Sequence, residues 1–60
     1  MSMTNQVHYT VRYHNGYEWR QAYRGVKRER ALAEKKYHVS RGVSVQASIV
    51  APNGRFMAKL

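Results

Sequence analysis

The sequence predicts an α+β domain of ββαββ order, in which a four-stranded, mainly antiparallel sheet carries one helix on one face. Three observations lead there. Apolar and polar residues alternate with period two from Val7 to Tyr13, from Tyr17 to about Arg24, from Val43 to Ile49 and from Arg55 to Leu60, as in strands buried on one side. Between the second and third runs, Val26 to about Tyr37 consists almost entirely of good helix formers. Each pair of strand runs is joined by an Asn-Gly step, Asn15-Gly16 and Asn53-Gly54, which favours hairpins because both residue types tolerate positive φ.

Residues 1–6 are polar and lack periodicity, so they are expected to form a disordered lead-in to a single domain over 7–60. In strand one Val7, Tyr9, Val11 and Tyr13 point one way and His8, Thr10 and Arg12 the other. The same alternation, carried through strand two, puts Trp19 and Tyr23 with the apolar set and Arg20 and Arg24 on the polar side. Gly25 interrupts the pattern and is expected to cap the helix, since no Ser, Thr, Asp or Asn stands there. Lys35, Lys36 and His38 near the far end suit the helix dipole. The apolar stripe is thin: Val26, Ala33 and Tyr37 share one face, while Ala31, Leu32 and Val39 lie about a quarter-turn or more away. Ser40-Arg41-Gly42 reads as the exit turn. In strand three Val43, Val45, Ala47 and Ile49 alternate with Ser44, Gln46 and Ser48, and Ala51-Pro52-Asn53-Gly54 fits a type I turn. Strand four then returns Phe56, Ala58 and Leu60 to the core and turns Arg55 and Lys59 outward. Pairing strand three with strand one gives the order 2-1-3-4, whereas pairing it with strand two would require a parallel, right-handed crossover.

Sixty residues form a domain that buries only about 60% of its unfolded surface, and without cysteine neither a disulfide nor a thiolate metal site can add stability. A homodimer is one way to gain buried area. Eleven Lys and Arg against three Asp and Glu give a formal net charge of +8, which attracts anionic partners. No stretch approaches the roughly 20 apolar residues of a membrane span, and the first residues lack the pattern of a secretory signal. A cytoplasmic protein with no membrane partner is expected.

No constellation of residues resembles a reaction centre, so neither an enzymatic activity nor a cofactor is expected. Glu18, Glu29 and Glu34 all have basic neighbours and read as surface ion pairs, Glu18 with Arg12 across the hairpin. His8, His14 and His38 lack the spacings of a metal site, and the four glycines mark element boundaries rather than a phosphate loop. The binding candidates are two basic surfaces. The outer sheet face collects Arg12, Arg20, Arg24, Arg55 and Lys59 with Gln46 among them, and DNA or RNA is its leading partner. If about five of these cations met phosphates, log K would fall with log salt at a slope of about −4.5. The helix offers Lys27, Arg28, Arg30, Lys35 and Lys36, a solvated face that can also meet phosphates or an acidic host protein. Tyr9, Tyr13, Trp19 and Tyr23 fall in the core phase, which argues against a sheet that stacks bases on exposed rings. Tyr17 and Tyr37 are the expected exposed rings.

His14-Asn15-Gly16 followed closely by Trp19, a charged helix with Ala31 and Ala33, the run Val45 to Ile49, and Pro52-Asn53-Gly54-Arg55 carry a resemblance. The chain resembles a short bacterial and phage domain family of unknown function with an N-G-x-W hairpin, an alanine-bearing helix and a D/N-G-R/K turn. The likeness spans Val7 to about Phe56, and this chain is more basic and has a shorter alanine spacing. The resemblance implies the ββαββ fold and a phage or mobile-element origin, not an activity. Small phage proteins of this scale can act by occluding a host enzyme such as RNA polymerase, so a host-protein partner is the alternative to nucleic acid. A dimerising accessory protein using the edge of strand two or four is a third possibility.

Overall fold

The computed structural model describes residues 6–60. The lead-in expected over residues 1–6 therefore lies outside the described residues, except for Gln6, which is exposed and belongs to no regular element. β1 (His8–His14), β2 (Trp19–Gly25), α1 (Arg28–Ser40), β3 (Val45–Val50) and β4 (Phe56–Lys59) follow in the expected order. All strand pairs are antiparallel, in the sheet order β2-β1-β3-β4, so strand three does pair with strand one. α1 packs across β1, β2 and β3. No element of the described chain covers the opposite sheet face.

The first hairpin turns more widely than a two-residue Asn-Gly loop. The Asn15 carboxamide oxygen accepts the N–H groups of Tyr17 at 2.8 Å and Glu18 at 2.9 Å, while the Asn15 N–H donates to the Glu18 carbonyl at 3.1 Å. That side chain captures backbone donors in the loop, so β2 begins at Trp19, opposite His14, and not at Tyr17. The second hairpin turns as its sequence reads: the Gly54 N–H closes onto the Ala51 carbonyl at 2.8 Å, with Pro52 in the second turn position.

The helix starts two residues later than expected, because Gly25 ends β2 and Lys27 stands at the N-cap in extended conformation without a side-chain cap. The Tyr23 hydroxyl accepts the Lys27 N–H at 3.1 Å. Gly25 makes room for that ring: a Cβ there would lie 2.5 Å from the Tyr23 hydroxyl oxygen and 2.9 Å from its Cζ. At the other end Gly42, at φ +81°, donates to the Val39 carbonyl at 3.0 Å, and the Val43 N–H reaches the His38 carbonyl at 3.4 Å. This Schellman closure supplies partners for carbonyls the helix leaves open.

Of the two apolar sets on the helix, the one that holds Ala31 and Leu32 meets the sheet. Ala31 is fully buried and Leu32, Glu34, Lys35 and His38 are half-buried, whereas Val26, Ala33, Tyr37 and Val39 are exposed. A small residue at 31 lets the helix approach the sheet closely. One turn and more beyond it, the His38 ring stacks on Tyr13 with centroids 4.1 Å apart and planes 9° from parallel. His38 Nε2 lies 3.6 Å from Glu34 Oε1, and Lys35 Nζ donates to the Leu60 carbonyl at 2.7 Å. Val11 and Ala31 are the two fully buried apolar residues among those described. Half-buried Tyr9, Tyr13, Tyr23, Ile49 and Leu60 surround them.

Candidate nucleic-acid interface

Each edge strand carries a one-residue bulge. Val11 pairs with Tyr23 but Arg12 pairs with Gln21, which leaves Ala22 without a partner on β1. On the other side Ile49 pairs with Ala58 but Val50 pairs with Phe56, leaving Met57 as the extra residue. An inserted residue inverts the side-chain phase beyond it. Trp19 therefore lies opposite His14, and Gln21 opposite Arg12, on the outer face, while Arg20 lies opposite Tyr13 on the helix side. Phe56 lies opposite Val50, again on the outer face.

Four expectations are corrected by this geometry. Trp19 and Phe56 are not core residues: they are 36% and 64% exposed on the outer sheet face. Arg20 does not belong to the cationic face. Its Nη1 lies 3.1 Å from Glu18 Oε2 in an exposed pair, which also replaces the expected contact between Glu18 and Arg12. Of the four rings in the core phase that spoke against a base-stacking sheet, Tyr9, Tyr13 and Tyr23 do lie on the face of Val11, half-buried, and the bulge at Ala22 turns Trp19 alone outward.

The pairing registers place the remaining residues. Arg12 stands between Gln21 and Gln46, and Thr10 stands between Arg24 and Ser48, whose other neighbour is Lys59. His8 is followed across the sheet by Val50 and Phe56. Arg12, Arg24, Lys59 and Gln46 thus share the face as the sequence reading had it. Arg55 is exposed in the turn before β4, with its N–H held by the Asn53 side chain at 3.0 Å, so it flanks the face. A groove of about 290 Å³ runs between Thr10, Arg12, Gln21, Arg24 and Pro52. The face holds no carboxylate, because Glu18 lies in the first turn and Glu29 and Glu34 lie on α1. Nothing acidic on it offsets the cations.

Around Trp19 the contacts are specific. The Arg12 guanidinium carbon is 5.9 Å from the indole centroid, and the His14 ring meets the indole edge to face with centroids 5.4 Å apart. Tyr17, in the turn beside it, is 93% exposed, and Tyr37 on the helix is also exposed, both as expected. On the helix Lys27, Arg28, Arg30 and Lys36 are exposed, but Lys35 is half-buried and engaged with Leu60. The second basic surface is therefore smaller than expected and is interrupted by Glu29.

Among the described residues no cluster of His, Cys, Asp or Glu could hold a metal ion, and no helix is long and apolar enough to cross a membrane. No family model, no curated protein and no solved structure matches the chain.

Proposed function

We propose that this protein is a non-enzymatic nucleic-acid-binding module that works through the open face of its sheet. The observation that supports the reading is the charge of that face: Arg12, Arg24 and Lys59 stand among polar side chains, with Arg55 alongside and no carboxylate. Guanidinium groups engage phosphate oxygens in a two-pronged fork, and Lys59 acts as a mobile point charge. Gln21, Gln46, Thr10 and Ser48 lie between the cations, where hydrogen bonds to phosphate, sugar or base edges position the chain. The net charge of +8 draws a polyanion in from a distance, and the exposed helix cations extend that field. A phage or mobile-element origin, implied by the family resemblance over Val7 to about Phe56, accords with such a role.

Binding to single-stranded DNA, RNA and duplex DNA, measured at low and at moderate salt, tests the reading. Binding should weaken steeply with salt. The triple variant Arg12→Gln, Arg24→Gln, Lys59→Gln should lose it while unfolding at an unchanged temperature. Failure to bind any nucleic acid at low salt overturns the reading, and a lysate partner retained after nuclease treatment would replace it with an acidic host protein.

A further inference from the structure

We infer that the ligand of this face is single-stranded nucleic acid, held by bases stacked on Trp19 and Phe56; the inference rests on the nucleic-acid reading and narrows it. Two independent bulges, on opposite edges of the sheet, each turn an aromatic ring out of the core phase and onto the cationic face. With Val11 and Ala31 the only fully buried apolar residues among those described, two large rings on the surface are a considerable loss of core material. Bulges beside binding sites commonly re-aim side chains in this way.

The two rings occupy opposite corners. Three strand spacings separate β2 from β4, and the registers offset Trp19 from Phe56 by the six residues from His14 to His8. These give a diagonal of about 25 Å. Arg12 and Ser48 lie on that diagonal, and Lys59, opposite Ser48 on the strand of Phe56, lies beside its end. A strand crossing it meets ring, cation, polar group, cation and ring, the alternation of stacking and phosphate contact that single strands need. In the free protein Arg12 leans toward the indole, and on binding it is within reach of the phosphate next to the stacked base. A duplex is a poor match, because its major groove is about 12 Å wide and admits a helix or a two-stranded ribbon, while this face spans about 14 Å between its outer strands alone. Stacked bases inside a duplex also offer no open ring faces to Trp19 or Phe56.

Trp19 is the single tryptophan of the chain, so its fluorescence reports the site directly. Titration with oligothymidylate, with oligouridylate of equal length, and with duplex DNA of equal phosphate concentration should quench the indole with the first two and not with the third. The first two arms also rank DNA against RNA. Trp19→Leu should weaken single-strand binding, read by anisotropy of a labelled oligonucleotide, by roughly 5- to 150-fold, the range of one lost stack. Trp19→Phe should recover part of it, and Phe56→Ala should weaken binding without touching the quenching. Equal or tighter duplex binding, or a Trp19→Leu variant that binds single strands as well as the parent, overturns this inference while leaving the nucleic-acid reading in place. Absence of binding to all three probes at low salt overturns both.

Discussion

Arg20 and Arg24 stand four residues apart on one strand and look equivalent in sequence, yet the bulge at Ala22 separates them onto opposite faces. Neutralising each in turn is therefore a sharp perturbation. A single strand releases about 0.7 counterion per phosphate contact, so contacts from Arg12, Arg24, Lys59 and Arg55 give a slope of log K against log salt of about −2.8. Raising salt from about 50 to 200 mM then weakens binding about 50-fold. Arg24→Gln should reduce the slope to about −2.1, and the loss over the same range to about 18-fold. Arg20→Gln should leave the slope at its parental value, because that guanidinium lies on the helix side beside Glu18. The assay is anisotropy of a labelled oligothymidylate titrated at four or five salt concentrations. Equal reductions for the two variants, or a reduction only for Arg20→Gln, would refute the assignment of the binding face.

The packing makes predictions of its own, each read by thermal unfolding in circular dichroism. Val11→Ala removes two methylene equivalents from a fully buried site and leaves a small cavity, so it should cost about 2 kcal/mol and lower Tm by roughly 8–16 °C; a loss below about 0.5 kcal/mol would mean that Val11 is not central to the core. Tyr23→Phe deletes the acceptor of the Lys27 N–H and should cost about 1 kcal/mol, with no loss if water serves that donor equally well. Gly42→Ala forces a side chain into φ +81° at the helix exit and should cost about 1 kcal/mol; a neutral result would show that the exit turn relaxes freely.

Much of the architecture was legible in the sequence because periodicity, turn residues and helix formers all pointed to the same ββαββ order. Antiparallel pairing of β3 with β1 was one of two orders that the connection rules leave open, and the structure selects it. What alternation could not deliver was phase across a bulge. The signal lay in two residues of β2: Gln21 is polar in the apolar phase and Ala22 apolar in the polar phase, so both break the pattern where the register shifts. Met57 breaks it in β4 in the same way. Reading through those exceptions placed Trp19 and Phe56 inside and Arg20 outside. The helix start was missed for a different reason. A tyrosine hydroxyl four residues upstream does part of the work of a cap, and a contact of that kind has no sequence signature. The sequence left the docking stripe open between two apolar sets because His38 and Lys35, polar by composition, complete it through a ring and a carbonyl contact. On the candidate interface, Arg12, Arg24, Lys59 and Gln46 were found from sequence because they precede no bulge or lie on the same side of it as the core pattern that defines them.

The most direct test of a stacking, cationic sheet face is a titration of isotope-labelled protein with a short oligothymidylate, followed by nuclear magnetic resonance of its amide and indole N–H groups. The Trp19 indole N–H and the backbone amides of Arg12, Gln21, Gln46 and Lys59 should shift together and saturate at one concentration, while the amides from Arg28 to Lys36 stay in place. Shifts confined to the helix, or a Trp19 indole signal that does not move while the protein binds, would contradict it.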